Sequence, residues 1–279
     1  MILKKNKFGF VQGRLTKQKN KIQQFPAKGW KLELQNAKKL KFNIIEWTID
    51  HYGFYKNPLL SLKYVALIKK ILKKNNIKIN SVTADFFMEK PFWKQHNEKY
   101  YLKKIELLIK FCSIHNIKFI VIPLVDKSSI KNKNLENKVV STFKKFETLL
   151  KKYRVTILFE SDFKPKKLLR FIKNFKNEIF AINYDLGNSA SLSYDIEDEF
   201  KNYGKYIKNI HIKDRKKNGE SVRLGSGNAD FNKFFKVLKK IKYNGSLIFQ
   251  TARSFKKGED FKELKINLDF IKKFNKLHK

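Results

Sequence analysis

The feature that most constrains this chain is a period. Eight short runs rich in Ile, Val and Phe recur along it: Phe8–Val11, Asn43–Trp47, Ile79–Thr83, Phe119–Leu124, Val155–Phe159, Phe180–Tyr184, Ile207–Ile212 and Ser246–Phe249. Each turns polar just past its end, as a strand buried on both faces should. One position near each end (12, 47, 84, 123, 160, 185, 211 and 250) gives steps of 35, 37, 39, 37, 25, 26 and 39 residues. Between the runs, Leu59–Lys74, Tyr101–Ile114, Val139–Leu150, Leu168–Phe175, Phe231–Ile241 and Phe261–Phe274 carry apolar residues at i, i+3/i+4 spacing with lysines on the far face. Eight units of this size use up the 279 residues. The spacing therefore predicts an α/β fold, a single (β/α)8 barrel in which residues 1–279 form one domain. An open doubly wound sheet is the alternative, but no G-x-G-x-x-G follows any run, so its dinucleotide-binding version lacks its signature.

Composition narrows the function classes. A single cysteine, Cys112, excludes a disulfide scaffold and any multi-cysteine metal site, and its place on an apolar helical stripe predicts simple packing. The longest apolar run, Phe119–Val125, is too short to span a bilayer, and residues 1–15 lack the apolar core of a secretion signal. A cytoplasmic location is the expectation. The formal charge of +38 would suit a nucleic-acid binder, but only six of the 63 basic residues are arginine. Lysines spread along the whole chain look like a solvated surface rather than a phosphate-reading face. In so Lys-rich a chain, each surviving arginine is expected to be needed as arginine.

In a (β/α)8 barrel the C-terminal strand ends converge on one mouth, where active sites lie. Four consecutive runs end in potential metal ligands: Glu160, Asp185, His211 and Gln250. Each has a plain reading alone: a solvated carboxylate, a turn closer before Leu186-Gly187-Asn188, a hydrogen-bonded core histidine and an unremarkable amide. Their registration at one level changes the reading. Two carboxylates, an imidazole and an amide oxygen suit one hard or borderline divalent cation, Mn²⁺ or Mg²⁺.

The chain resembles the xylose isomerase-like TIM barrels, in particular their sugar phosphate isomerase/epimerase-like members. The segments that carry the likeness are FGFVQGRL (8–15), NIIEWTID (43–50), SVTADFFM (81–88), FIVIPLVD (119–126), LFESD (158–162), YDLGNSAS (184–191), HIKDR (211–215), VRLGSGNADF (222–231) and FQTARS (249–254). The resemblance implies that Glu160, Asp185, His211 and the residue at 250 bind one divalent metal. Members of known activity usually have Glu at that fourth position, where it also exchanges a proton. Gln250 can coordinate through its oxygen but cannot move a proton at neutral pH. Apurinic-site endonucleases share this barrel but need a three-metal, histidine-rich cluster; the five histidines here, His51, His96, His115, His211 and His278, do not supply one.

The expected chemistry is isomerisation or epimerisation of a small sugar, with Glu160 as the base that abstracts a proton and the metal stabilising the enediolate. One base suffices for aldose–ketose isomerisation; inversion needs a second acid, for which Asp85, Lys213 or a metal-bound water could serve. Counting by twos from His211 places Lys213 inward as a second catalytic residue. Arg14, Arg215, Arg223 and Arg253 lie just past strands or in the loop before the seventh helix, which predicts an anionic substrate, a sugar phosphate or sugar acid. The pair Gly225-x-Gly227 could offer backbone N–H groups to phosphate. Glu46, Trp47, Asp85, Phe86 and Asn188 are expected to contact substrate, with Phe10 as a further wall. No specific nucleic acid and no membrane is expected as a partner, and a homo-oligomer is left open. A non-catalytic sugar-binding barrel, for which Gln250 speaks, is the competing reading.

Overall fold

A computed structural model of the chain describes residues 8–16, 23–95, 97–254, 256 and 258–277; His96 and His278 lie outside them. Eight parallel strands close into a barrel: β1 (Phe8–Val11), β2 (Ile44–Thr48), β3 (Lys78–Thr83), β4 (Phe119–Leu124), β5 (Thr156–Ser161), β6 (Phe180–Asp185), β7 (Ile207–Ile212) and β8 (Ser246–Phe249). Each pairs with its sequence neighbours, and β8 closes on β1 through Phe8↔Leu247 and Phe10↔Phe249. The expected (β/α)8 barrel is the observed fold. Four strands begin and end where the apolar runs do, and the other four differ by one or two residues.

The helices are α1 (Trp30–Lys39), α2 (Val65–Asn75), α3 (Phe86–Glu89), α4 (Glu98–Ile114), α5 (Lys133–Lys144), α6 (Glu147–Tyr153), α7 (Pro165–Ile172), α8 (Leu186–Ser191), α9 (Ile196–Tyr203), α10 (Phe231–Lys240) and α11 (Asp260–Leu277). The single stretch expected over 139–150 is two helices, broken at Lys145–Phe146. Asn97, Asn132 and Asp230 cap α4, α5 and α10 by accepting a backbone N–H with their side chains, which satisfies donors that a helix start leaves orphaned. Among the described residues no helix is long and apolar enough to cross a membrane.

Alternation along the strands sorts the side chains into two environments. Phe8, Phe10, Ile45, Trp47, Val82, Ile120, Phe159, Phe180 and Ile210 face outward into one large apolar core beneath the helices. The inward side holds two small apolar clusters, Val11–Ile44–Ile248 and Val121–Leu158–Ala181. With these, the barrel interior carries a polar set: Glu46, Asn183, Asn209 and His211, joined by hydrogen bonds and almost fully buried. That set is the support on which the mouth is built.

Candidate metal centre and cavity

Buried polar groups need partners, and the inward residues of β2, β5, β6 and β7 supply them to one another. Glu46 sits in the barrel interior, fully buried. One oxygen lies 2.8 Å from His211 Nε2; the other accepts from Ser81 Oγ at 2.7 Å and Asn209 Nδ2 at 3.1 Å. The Nε2–H donated to Glu46 turns Nδ1 of the same ring to Glu160 Oε2, at 3.0 Å, with Asp185 Oδ2 at 3.9 Å. Burial alone would lower the His211 pKa; the charges of Glu46 and Glu160 outweigh it and push it well above the usual imidazole range.

Glu160 is held from two sides. Its Oε1 accepts from Asn188 Nδ2 and its Oε2 from Asn183 Nδ2, each at 2.9 Å. Asp185 ends β6 and caps α8: its Oδ1 accepts the Asn188 N–H at 2.8 Å, leaving Oδ2 toward the mouth. Glu160, Asp185 and His211 thus each offer one ligand atom, all within 4.8 Å of one another and all buried. Two oxygen anions and one imidazole nitrogen, oriented by partners beneath them, are a donor set that fits a divalent cation.

Lys213 reaches the same point. Its Nζ donates to Asp185 Oδ2 and Asn188 Oδ1 at 3.2 Å and lies 3.4 Å from Gln250 Oε1. Gly187 makes this approach feasible: a Cβ there would stand 2.6 Å from Lys213 Cγ. The Gln250 amide nitrogen donates in turn to Gln23 Oε1 at 3.0 Å.

Above these residues opens a cavity of about 620 Å³ lined, among others, by Arg14, Gln23, Asp50, Asp85, Glu160, Lys213, Arg215 and Gln250. Asp85 takes hydrogen bonds from Thr83 Oγ1 at 2.7 Å and Gln23 Nε2 at 2.5 Å. Burial first, then the neighbouring Asp50 and more weakly Glu160, raise its pKa from 3.8 to about 7 against those two hydrogen bonds. Arg14 is buried at the rim, where its Nε donates to the Thr251 carbonyl and its Nη2 to Gln23. Burial and the facing Arg253 lower its pKa to about 10.

The structure separates the expected site residues into two groups. Glu160, Asp185, His211, Gln250, Lys213, Asn188, Asp85, Arg14 and Arg215 gather at the mouth. Arg215 is anchored there, donating to the Gly219 carbonyl and to Asn188 Oδ1. Trp47, Phe86 and Phe10 do not form pocket walls. Trp47 lies fully buried under the helices, its Nε1 bonded to Asn57, and packs on Phe25 and Trp30. Phe86 packs edge-on against Phe54 and tilted against Phe87, and Phe10 packs tilted against Phe42. Glu46 lies one layer below the cavity, against the histidine. Arg223 and Arg253 are not among the cavity-lining residues. Arg223 forms a two-pronged pair with Glu263 at 2.8 and 2.6 Å; Arg253 clamps the Gly13 and Thr16 carbonyls and Asp260. Both use the guanidinium fork to tie the rim together. The Gly225 and Gly227 amides, with that of Ala229, are taken by Asp214.

Gln23, Asp50, Asn183 and Asn209 were not singled out in the sequence. Stepping back by twos from Asp185 and His211 would have found the two asparagines; Gln23 and Asp50 lie off the strands, where no period points to them.

Fold and site together define a (β/α)8 barrel with a carboxylate–imidazole cluster at its C-terminal mouth. The chain belongs to the xylose isomerase-like TIM barrel family, whose sequence profile matches residues 34–274. Among similar solved structures is a xylose isomerase domain protein from Planctomyces limnophilus, 15% identical over 97% of both chains with a TM-score of 0.77. Another is an IolI protein with a bound zinc atom, 18% identical over 96% of this chain and 99% of that one, TM-score 0.74. A third is the 3-keto-D-glucoside 4-epimerase from E. coli, 15% identical over 96% and 99%, TM-score 0.68. At such identities the likeness bears on the fold. A sequence search among curated proteins gave no match.

Proposed function

We propose that this chain is a divalent-metal-dependent isomerase or epimerase of a small sugar. The observation that carries the reading is the buried Glu160–Asp185–His211 triangle on the floor of the mouth cavity, beside Gln250 and Lys213. Glu160, Asp185, His211 through Nδ1 and Gln250 through its amide oxygen would hold the ion, Mn²⁺ or Mg²⁺ by the oxygen-rich donor set. Such an ion supplies Lewis-acid polarisation of neighbouring substrate oxygens, which acidifies the C–H between them.

The chain's own residues do the rest. Glu160 removes that proton, its oxygens aimed by Asn183 and Asn188. Lys213 brings a positive charge to the developing oxyanion. The sugar-epimerase and zinc-binding neighbours support the class, and the family supports the fold on which it runs. Basic lining residues (Arg14, Lys90, Lys127, Lys213, Arg215) are offset by Asp50, Asp85, Glu89, Asp126, Glu160 and Glu220. With Arg223 and Arg253 committed elsewhere, the case for an anionic sugar rests on Arg14, Arg215 and the lysines.

The competing reading, a sugar-binding barrel without turnover, is favoured by the amide at 250. Incubating the protein with Mn²⁺ and a panel of free and phosphorylated sugars in heavy water separates the two. Metal-dependent deuterium uptake into one sugar, abolished by Glu160→Gln, is the expected result. Uptake that survives Glu160→Gln removes the base assignment, and no uptake with any sugar favours the non-catalytic barrel.

A further inference from the structure

We propose that Gln23 is a positioning residue of this site: by accepting the Gln250 amide hydrogen it turns the Gln250 oxygen to the Asp185 side of the mouth, where it can ligate the ion. The inference rests on the divalent-metal reading above and deepens it by assigning what aims the fourth ligand.

An amide has one end that accepts and one that only donates, so a glutamine can hold a cation in only one of its two orientations. The barrel fixes the Gln250 backbone, whose N–H donates to the Ile212 carbonyl at 3.0 Å just past β8. Its side chain is oriented from the segment between β1 and α1, where Gln23 lies.

Arg14 sets the first amide. A guanidinium only donates, so the Gln23 atom that its Nη2 meets at 3.1 Å is the oxygen, and Gln23 Nε2 is turned to Asp85 Oδ2. The same Gln23 oxygen stands 3.0 Å from the Gln250 amide, so the Gln250 atom facing it is the donor, Nε2. Gln250 Oε1 therefore points the other way. There a second donor-only group meets it: Lys213 Nζ lies at 3.4 Å and also donates to Asp185 Oδ2 at 3.2 Å.

Two cations, Arg14 at one end and Lys213 at the other, thus demand the same orientation of both amides. Asp185 Oδ2 and Gln250 Oε1 converge on one cationic nitrogen, as two ligands of a single ion must. Arg14 also donates through Nε to the Thr251 carbonyl at 2.9 Å, so one buried guanidinium braces the amide that faces Gln250 and the backbone beside it. A carboxylate at 250 would give Gln23 Oε1 no hydrogen to accept, so the two glutamines form a matched pair.

The test is calorimetric titration of the whole chain with MnCl₂, with melting temperatures of the metal-free protein measured alongside. Gln23→Met keeps the length and removes the acceptor; Mn²⁺ affinity should fall by about tenfold. Gln23→Glu keeps acceptors for Arg14 and Gln250 and loses only the donation to Asp85, so its affinity should stay within threefold of wild type or tighten. In a Gln250→Ala background, Gln23→Met should change affinity by less than twofold, because no ligand is left to aim. A merely structural role predicts the same loss in both backgrounds. Gln23→Asn, whose amide falls one methylene short of Gln250, gives the same reading if Gln23→Met does not fold. Affinity of Gln23→Met within twofold of wild type, a Gln23→Glu variant as weak as Gln23→Met, or losses at 23 and 250 that multiply overturns the proposal alone. Wild type that binds no Mn²⁺ overturns the metal-dependent reading and the proposal with it.

Discussion

Glu46→Gln probes whether the barrel interior sets the chemistry of the mouth. Glu46 accepts three hydrogen bonds on its two oxygens, from His211 Nε2, Ser81 Oγ and Asn209 Nδ2. An amide keeps one acceptor oxygen and replaces the other with a donor. If the oxygen stays toward His211, the new NH₂ faces the Asn209 NH₂; if it turns, it faces the His211 N–H. Either way one fully buried donor loses its partner, which costs about 1–3 kcal/mol, and the charge-assisted bond to the histidine becomes a neutral one. For a chain of this size that is a melting temperature lower by roughly 2–4 °C per kcal/mol. Partners that orient a ligating histidine are typically worth about 10- to 100-fold in metal affinity, or about 1.4–2.7 kcal/mol. Calorimetric titration with MnCl₂, with thermal melts of the metal-free protein, reads both quantities. A variant that melts lower yet binds Mn²⁺ within twofold of wild type would show that Glu46 supports the fold and not the histidine, and the reasoning would fail.

Gln250→Glu adds a negative charge beside Lys213 and should tighten Mn²⁺ binding by about tenfold; unchanged affinity by the same titration would remove position 250 from the ligand set. Glu33, whose carboxylate takes the Gly13 and Leu15 N–H groups, has its pKa raised from 4.5 to about 7, chiefly by burial. The folded state holds this proton more tightly than the unfolded chain, so its contribution is full below pH 4.5 and lost as pH rises through about 7. Glu33→Gln should accordingly flatten the decline in melting temperature between those values, and a slope equal to wild type would contradict it. Phe159→Ala deletes a fully buried ring whose centroid lies 5.0–6.0 Å from those of Phe143, Phe171, Phe175 and Phe180. It should cost roughly 3–5 kcal/mol in chemical denaturation; a loss below about 1 kcal/mol would mean the layer repacks.

The strands were readable because both faces of each are buried, so the apolar runs stand out against lysine-rich surroundings. α1 and α9 were not, for a physical reason. Each buries a glutamate on its inner face, Glu33 and Glu199, so the apolar stripe is interrupted where it should be continuous. Glu33 ties down the loop after β1, and Glu199 accepts from the hydroxyls of Tyr184, Ser189 and Tyr203. The strand-end residues at the mouth were legible from register alone. The aromatic walls were misjudged because parity decides which way a side chain faces: Glu46 points in, so Trp47 points out. Scarcity of arginine in the sequence cannot tell a guanidinium that binds substrate from one that clamps carbonyls, as Arg253 does.

The long outer helices, where most exposed lysines lie, supply none of the atoms that aim Glu160, Asp185 and His211; those come from Glu46 and Asn183 on the strands and from Asn188 of the short, lysine-free α8. Lysines of those helices that pair with no carboxylate can therefore be exchanged for neutral glutamine without breaking a hydrogen bond that aims the mouth. Such a version, less positive overall, would keep the hydrogen bonds of the strand ends while drawing polyanions less strongly.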